Sequence, residues 1–345
     1  MCKVLFIIIG ALIGAGFASG EEIYVFFYSY GIYGLCGIII SSLLFGTIIY
    51  KVLEFIQINN IKDYGEFLEN IVSKKINEKV KIKVVIAIKY LTNIFLILTF
   101  YVMIAGFGTY LKDNINLPNI IGSLILVILV ISILSKNLTG IIRINKLIVP
   151  FLIIFILTLS YVILVKGKVS LEINDFGKYL LKQNSINWIL SSILYVSYNC
   201  LLLIPVLISI RKIIDKNRIG ILSILTSIII FILSICIYLC LIEIDVDISK
   251  IEMPIGYIIN TKYSFFKIFY GIVILLSILT TSISIVKGLI ENLVMKEKNR
   301  IGVLLLISFL GVIIAQFGFS KLISYLYPIY GYLGILIILL LILKI

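Results

Sequence analysis

Apolar residues in this chain fall in long runs separated by short charged breaks, without the strict alternation of half-buried strands. Ten runs reach or approach the roughly 20 residues that carry a helix across a bilayer. They cover residues 4–29, 32–56, 84–111, 119–135, 145–165, 186–210, 219–242, 265–289, 301–318 and 322–343. Outer-membrane strands would show alternating segments of about ten residues instead. The pattern predicts an all-α integral membrane protein of ten transmembrane helices, with residues 1–345 forming a single transmembrane domain.

Two runs are interrupted. The first contains "GALIGAGFASGEE" (10–22), where Gly10, Gly14, Gly16 and Gly20 weaken a helix and Glu21 and Glu22 bring two carboxylates into an apolar span. Five runs later, "SSILYVSYNCLLLIPVL" (191–207) places Ser197, Tyr198 and Asn199 mid-run, with Pro205 removing a backbone donor. Taken singly, each feature also fits close helix packing or interhelical hydrogen bonding. As a pair five spans apart, they predict two inverted five-helix repeats, about 1–166 and 186–345, with helices 1 and 6 discontinuous around a midplane site.

Composition agrees with the membrane reading: the 345 residues are 61% hydrophobic and only 14% charged. Histidine is absent, and the five cysteines (Cys2, Cys36, Cys200, Cys236, Cys240) have no metal-ligand spacing. This sets aside histidine catalysis, a zinc site and a disulfide framework. Neither a phosphate-binding G-x-x-x-x-G-K-[ST] loop nor a convergent acid, base and nucleophile set is visible, so transport or sensing is expected ahead of catalysis. The net charge of +13 is spread over short loops and forms no nucleic-acid stripe. In the ten-span layout, 21 of the 30 lysines and arginines fall on the side of the N-terminus, which predicts both termini in the cytoplasm of a bacterial inner membrane. Lys3, the first apolar run and the small residues of "FASG" also fit a signal peptide, whose cleavage would discard the break.

Two connections stand out. Residues 57–83 mix both charge signs with apolar residues at helical spacing, as in an interfacial helix or a solvated cytoplasmic loop. The external loop 243–264 carries Glu243, Asp245, Asp247 and Glu252, but lacks the twelve-residue calcium pattern and its glycine.

An unwound helix frees carbonyls on one side and N–H groups on the other. Carbonyls near Gly10 and Ile13 suit a sodium ion, while N–H groups between Gly14, Ala15, Gly16, Phe17 and Gly20, with the Ser19 hydroxyl, suit a solute carboxylate. The stretch "LLSILTTSISIVKG" (275–288) supplies further oxygens, with Ser277, Thr281 and Ser284 on one helix face and Thr280 beside them. Such hydroxyls also bond to carbonyls of their own helix. Tyr195 and Tyr198, with Tyr101 on span three, are candidate pocket walls beside Ser197 and Asn199, although belt and packing roles are open to any of 21 tyrosines. Gln316 is read as an interhelical bonding residue. Glu21 and Glu22 are candidates for proton coupling, unless the span starts low enough for both to reach outer water.

The "GAGFASGEE" of residues 14–22 resembles the first-span pattern of the YkvI-like bacterial membrane proteins, and the resemblance extends over nearly the whole chain. Many members carry Gln where this chain has Glu21, which makes Glu21 a departure. The group looks like a branch of the amino acid, polyamine and organocation transporters, which implies the leucine-transporter fold. In that fold a sodium site joins span-one carbonyls to two hydroxyl residues of span eight, and the matching positions are Thr280 and Thr281. Some relatives place a lysine on span five where sodium would sit; Lys146 is the nearest candidate, though it also fits an anchor at the cytoplasmic mouth. The expectation is therefore a secondary transporter of an amino acid or related amine, coupled to sodium or to protons. The same fold also serves ligand-sensing subunits resembling spore-germinant receptors. The expected partners are a small-molecule substrate and the lipid bilayer, without nucleic acid; sodium is the expected ion.

Overall fold

Runs of Ile, Leu and Val in lipid leave the backbone no partner but itself, so each run that can close its i to i−4 ladder becomes a helix. The computed structural model describes residues 1–72, 77–135, 141–166, 187–293 and 297–344, and among them all regular structure is helical. In chain order the helices are α1 (Cys2–Leu12), α2 (Ala15–Ala18), α3 (Glu21–Phe26), α4 (Ile32–Ile58), α5 (Tyr64–Ile71), α6 (Glu78–Ile115) and α7 (Asn119–Ser135). They continue with α8 (Ile141–Lys166), α9 (Trp188–Ile210), α10 (Ile219–Ile242), α11 (Pro254–Thr261), α12 (Lys267–Leu293), α13 (Glu297–Ile314) and α14 (Phe319–Ile342). Seven of these, α4, α6, α8, α9, α10, α12 and α14, are each long and apolar enough to cross a membrane. Shorter apolar helices lie within Asn119–Leu134 and Gly302–Phe317, and the first run is broken into α1, α2 and α3. The protein is an all-helical membrane protein.

Packing divides the helices into two groups. In one, α4 lies against α9 and α10, with α1 on both α9 and α10; in the other, α6 packs on α7, α12 and α13. Between them, α8 touches α1, α10 and α12, while α14 touches α9 and α6. Small residues allow the closest approach: a Cβ added at Gly331 of α14 would stand 2.9 Å from the Leu194 carbonyl oxygen of α9, and Gly334 abuts Ser197 in the same way. Hydroxyls tie the first group together. Ser227 Oγ donates to Ser42 O at 2.6 Å, Ser191 Oγ to Phe26 O at 2.8 Å and Tyr238 Oη to Gly31 O at 2.8 Å.

The run at 186–210 differs from expectation, because α9 is one continuous helix with Pro205 inside it. Its polar groups bond inward along the helix instead of interrupting it: Asn199 Nδ2 donates to Tyr195 O at 2.9 Å and Ser192 Oγ to Trp188 O at 2.8 Å. Only the first of the two expected discontinuities is present.

Within 57–83, residues 64–71 form the helix α5. Asp63 caps it by accepting from Glu66 N at 2.9 Å, and Phe67, Leu68 and Ile71 are buried on a helix that packs against α6. In the stretch 243–264, Lys262 Nζ bonds Glu243 O at 2.6 Å and Asp245 Oδ2 at 2.8 Å, tying the end of α10 to α11. The hydrogen bond to Asp245 raises the Lys262 pKa above the ordinary lysine value.

Candidate functional site

The backbone ladder of the first run stops at Ile13, whose N–H bonds Ile9 O at 2.8 Å, and restarts at Ala18, whose N–H bonds Gly14 O at 3.0 Å. Between these bonds, the carbonyls of residues 10–13 and the N–H groups of residues 14–17 have no backbone partner among the described residues. Gly14 is extended, with φ −88° and ψ −170°, and a Cβ there would meet nothing within 4 Å, so open space adjoins the break. Gly20 takes φ +84°, a left-handed conformation that lets α2 turn into α3. Ser19 steadies the turn: its Oγ donates to Gly16 O at 3.0 Å and accepts from Glu21 N at 3.4 Å.

Both acidic residues beyond the turn are buried, Glu21 fully and Glu22 with 4% exposure, so neither is open to solvent. Glu21 Oε1 accepts from Ser320 Oγ at 2.6 Å, while its Oε2 has no hydrogen-bond partner. Ser320 N in turn donates to Glu252 Oε2 at 2.9 Å. Glu252 is therefore turned from the α10–α11 connection onto the first turn of α14. The same loop reaches the break directly, since Ile255 N donates to Ser19 O at 2.9 Å. Neither Glu252 nor Ser320 carries a sequence pattern that announces this role.

Glu22 points the other way. Its side chain lies against Gly16, where an added Cβ would stand 2.9 Å from Glu22 Cγ. Tyr195, Tyr198 and Tyr327 are its electrostatic neighbours. The Tyr198 hydroxyl faces Glu22 without a closed hydrogen bond, and Glu22 Oε2, Tyr198 Oη and Ser197 Oγ are all buried and unpartnered. The Tyr198 ring stacks on Phe26 with centroids 5.4 Å apart and lies 4.6 Å from Tyr327. Tyr195 packs on Phe26, Phe27 and Phe45. Tyr327 was missed by reading the spans in order, because its run carries no break and only the α9–α14 packing brings it to Glu22.

The remaining expected residues are dispersed. Gly10 faces α8, where a Cβ would stand 2.7 Å from Val149 Cγ2. Tyr101 is buried against Gly311 of α13. On α12, which packs against α2, Thr280 Oγ1 bonds Leu276 O at 2.9 Å and Ser277 O at 3.1 Å, and Ser284 Oγ bonds Thr280 O at 2.9 Å. Thr281 is half-buried on the same helix. Gln316 Nε2 bonds Val312 O of its own segment at 2.9 Å. The Lys146 side chain lies outside the described residues. Among the described residues no group of three His, Cys, Asp or Glu side chains converges as a metal site.

No family model matches the chain. Two Bacillus subtilis proteins are similar to it over almost their whole length. The uncharacterized membrane protein YkvI is 24% identical over 343 residues, spanning 96% of this chain and 92% of its own. The uncharacterized protein YyaD is 28% identical over 338 residues, spanning 96% and 93%. Among solved structures, the manganese transporter of Eremococcus coleocola superimposes with a TM-score of 0.62 at 14% identity in a complex with an aromatic bis-isothiourea compound, covering 99% of this chain and 77% of that one. A point mutant of the same transporter gives a TM-score of 0.61 at 13% identity, covering 99% and 78%. The chain shares the fold of that transporter.

Proposed function

We propose that the protein is a secondary transporter of a small solute, an amino acid or related amine, that binds at the break in the first span and crosses a bacterial inner membrane by alternating access. The observation that carries this reading is the gap in the hydrogen-bond ladder, four carbonyls and four N–H groups long, beside the open space at Gly14. Unsatisfied backbone in lipid is costly, and it persists where it lines a binding cavity. The pairing of α4 with α10, α6 with α12 and α1 with α9, five spans apart in the ten-span layout, supports an inverted repeat. Shared fold with a known transporter supports transport ahead of catalysis.

Carbonyls are hard oxygen donors, and those of residues 10–13 fit a sodium ion, with Thr281 of α12 as the hydroxyl not committed to its own helix. Bound there, sodium would supply positive charge to the exposed carbonyl end of α1 and link solute occupancy to an ion gradient. Proton coupling is the second reading, favoured by the buried, unpartnered Glu21 Oε2. Purified protein in liposomes, loaded with potassium and diluted into sodium or choline, tests the proposal. Solute accumulation that needs the sodium gradient supports it, accumulation driven by a pH gradient alone moves the coupling to Glu21, and binding without accumulation points to a sensor.

A further inference from the structure

Glu22 is a buried carboxylate without a counter-ion. Among the described residues no lysine or arginine forms an ion pair with it, and its Oε2 accepts no hydrogen bond. The groups around it are aromatic: Tyr195 and Tyr198 from α9, Tyr327 from α14 and, through ring contacts with the two α9 tyrosines, Phe26 from α3. The Tyr198 hydroxyl, which faces the acid, also lacks a partner, as does the buried Ser197 Oγ beside it in sequence. An unpartnered carboxylate oxygen facing an unpartnered hydroxyl is unusual in a closed core, where each would ordinarily be bonded.

The backbone nearby has the same polarity. The carbonyls of residues 10–13 are free, and Gly14, with nothing near a would-be Cβ, lies two residues before the glycine against which Glu22 packs. A carboxylate, carbonyl oxygens and electron-rich ring faces all favour positive charge. A hydroxyl such as that of Tyr198 can accept from an N–H while donating to the acid.

We infer that the solute carries a protonated amine and that Glu22 is its counter-ion, within a cage formed by Tyr195, Tyr198 and Tyr327. This rests on the break being the solute site, and it narrows the solute to cationic amines. An ammonium group would satisfy Glu22 Oε2 and offer donors to the free hydroxyl oxygens. An uncharged amide of the same size would leave Glu22 unpaired.

The test is binding to the full-length protein in detergent at constant sodium, read by thermal shift and calorimetry. Butylamine, phenethylamine and tyramine are each compared with the N-acetyl amide. The amines should raise the melting temperature while the amides leave it unchanged. Glu22→Gln should weaken amine binding at least tenfold. Tyr327→Leu should weaken it several-fold and Tyr327→Phe should restore it, which keeps the test decisive if Glu22→Gln fails to fold. Equal binding of amines and amides, binding unaffected by either substitution, or stabilisation by sodium with no amine effect overturns the inference. Uptake into liposomes separates the two levels. Amine binding without uptake retains the cage and removes the transport reading, whereas uptake of an uncharged solute untouched by Glu22→Gln does the reverse.

Discussion

The amide of Ile255 donates to the carbonyl of Ser19 at 2.9 Å, so the short helix α11 is hydrogen-bonded to the turn between α2 and α3. Ile255 Cγ1 also sits 2.9 Å from a would-be Cβ at Gly20, which leaves the loop no slack there. Glu252, just ahead of α11, fixes the same connection to α14 through Ser320 N. Loop, broken span and α14 are thus joined at one place, and any opening of the break towards this side must separate them.

That junction predicts the effect of Ser320→Ala. Loss of the hydroxyl leaves buried Glu21 with neither oxygen bonded, which should destabilise the protein by about 1–3 kcal/mol. In a double-mutant cycle, Glu21→Gln with Ser320→Ala should be clearly less than additive, because the two share one bond. Thermal melts of the four proteins decide it, and full additivity would show that the bond carries no energy.

Gly14 and Gly16 should behave as opposites. Alanine at Gly14 has room and an allowed backbone, so folding should be unaffected while solute or ion binding falls as the methyl enters the open space. Alanine at Gly16 meets the Glu22 side chain and should lower stability by about 1–3 kcal/mol. Melting curves paired with uptake assays separate the two effects. A Gly14→Ala protein with full binding would place the ligand elsewhere.

Thr280 and Thr281 are adjacent, yet their substitutions should differ. The Thr280 hydroxyl is already bonded to two carbonyls of α12. Thr281→Ala should therefore weaken sodium-dependent stabilisation about tenfold, near 1.4 kcal/mol, while Thr280→Ala leaves it largely intact. Sodium titrations followed by melting temperature are sufficient. Equal responses from the two variants would remove Thr281 from the ion site.

The α9–α14 contact should tolerate no added methyl. At Gly331 the obstacles are Leu194 Cδ2 at 2.7 Å and, at 2.9 Å, the Leu194 Cβ and carbonyl oxygen, which cannot rotate away as the end of the side chain can. Gly331→Ala should cost about 1–3 kcal/mol and displace Tyr327 from the Glu22 cluster. Gly220→Ala, with nothing within 4 Å, is the neutral control. If both variants melt alike, the contact is looser than its geometry.

What the sequence determined by itself was whatever lipid enforces locally. Long apolar runs become helices because the bilayer offers their backbone no other partner, and the glycines at 10, 14, 16 and 20 mark a place where one helix fails. The position of that break, its free carbonyls and the two acidic residues beyond it were legible because each depends on neighbours in sequence. The same local reading expected α9 to break as well, and there it misled. Asn199 and Ser192 bond along their own helix, which runs on through Pro205 although the proline supplies no ladder donor. Whether a polar side chain interrupts a helix or serves it depends on its rotamer and surroundings, which no spacing records.

Tertiary structure alone decided what faces the two carboxylates. Glu21 meets Ser320, 299 positions away, and Glu22 meets tyrosines from α9 and α14. Those meetings follow from which helices pack together and at which glycines, a choice made by shape among many nearly equivalent apolar faces. Isoleucine-rich spans present similar surfaces on every side, so their pattern holds too little information to specify the partner. The helices were thus written in the chain, and the chemistry between them was set by packing.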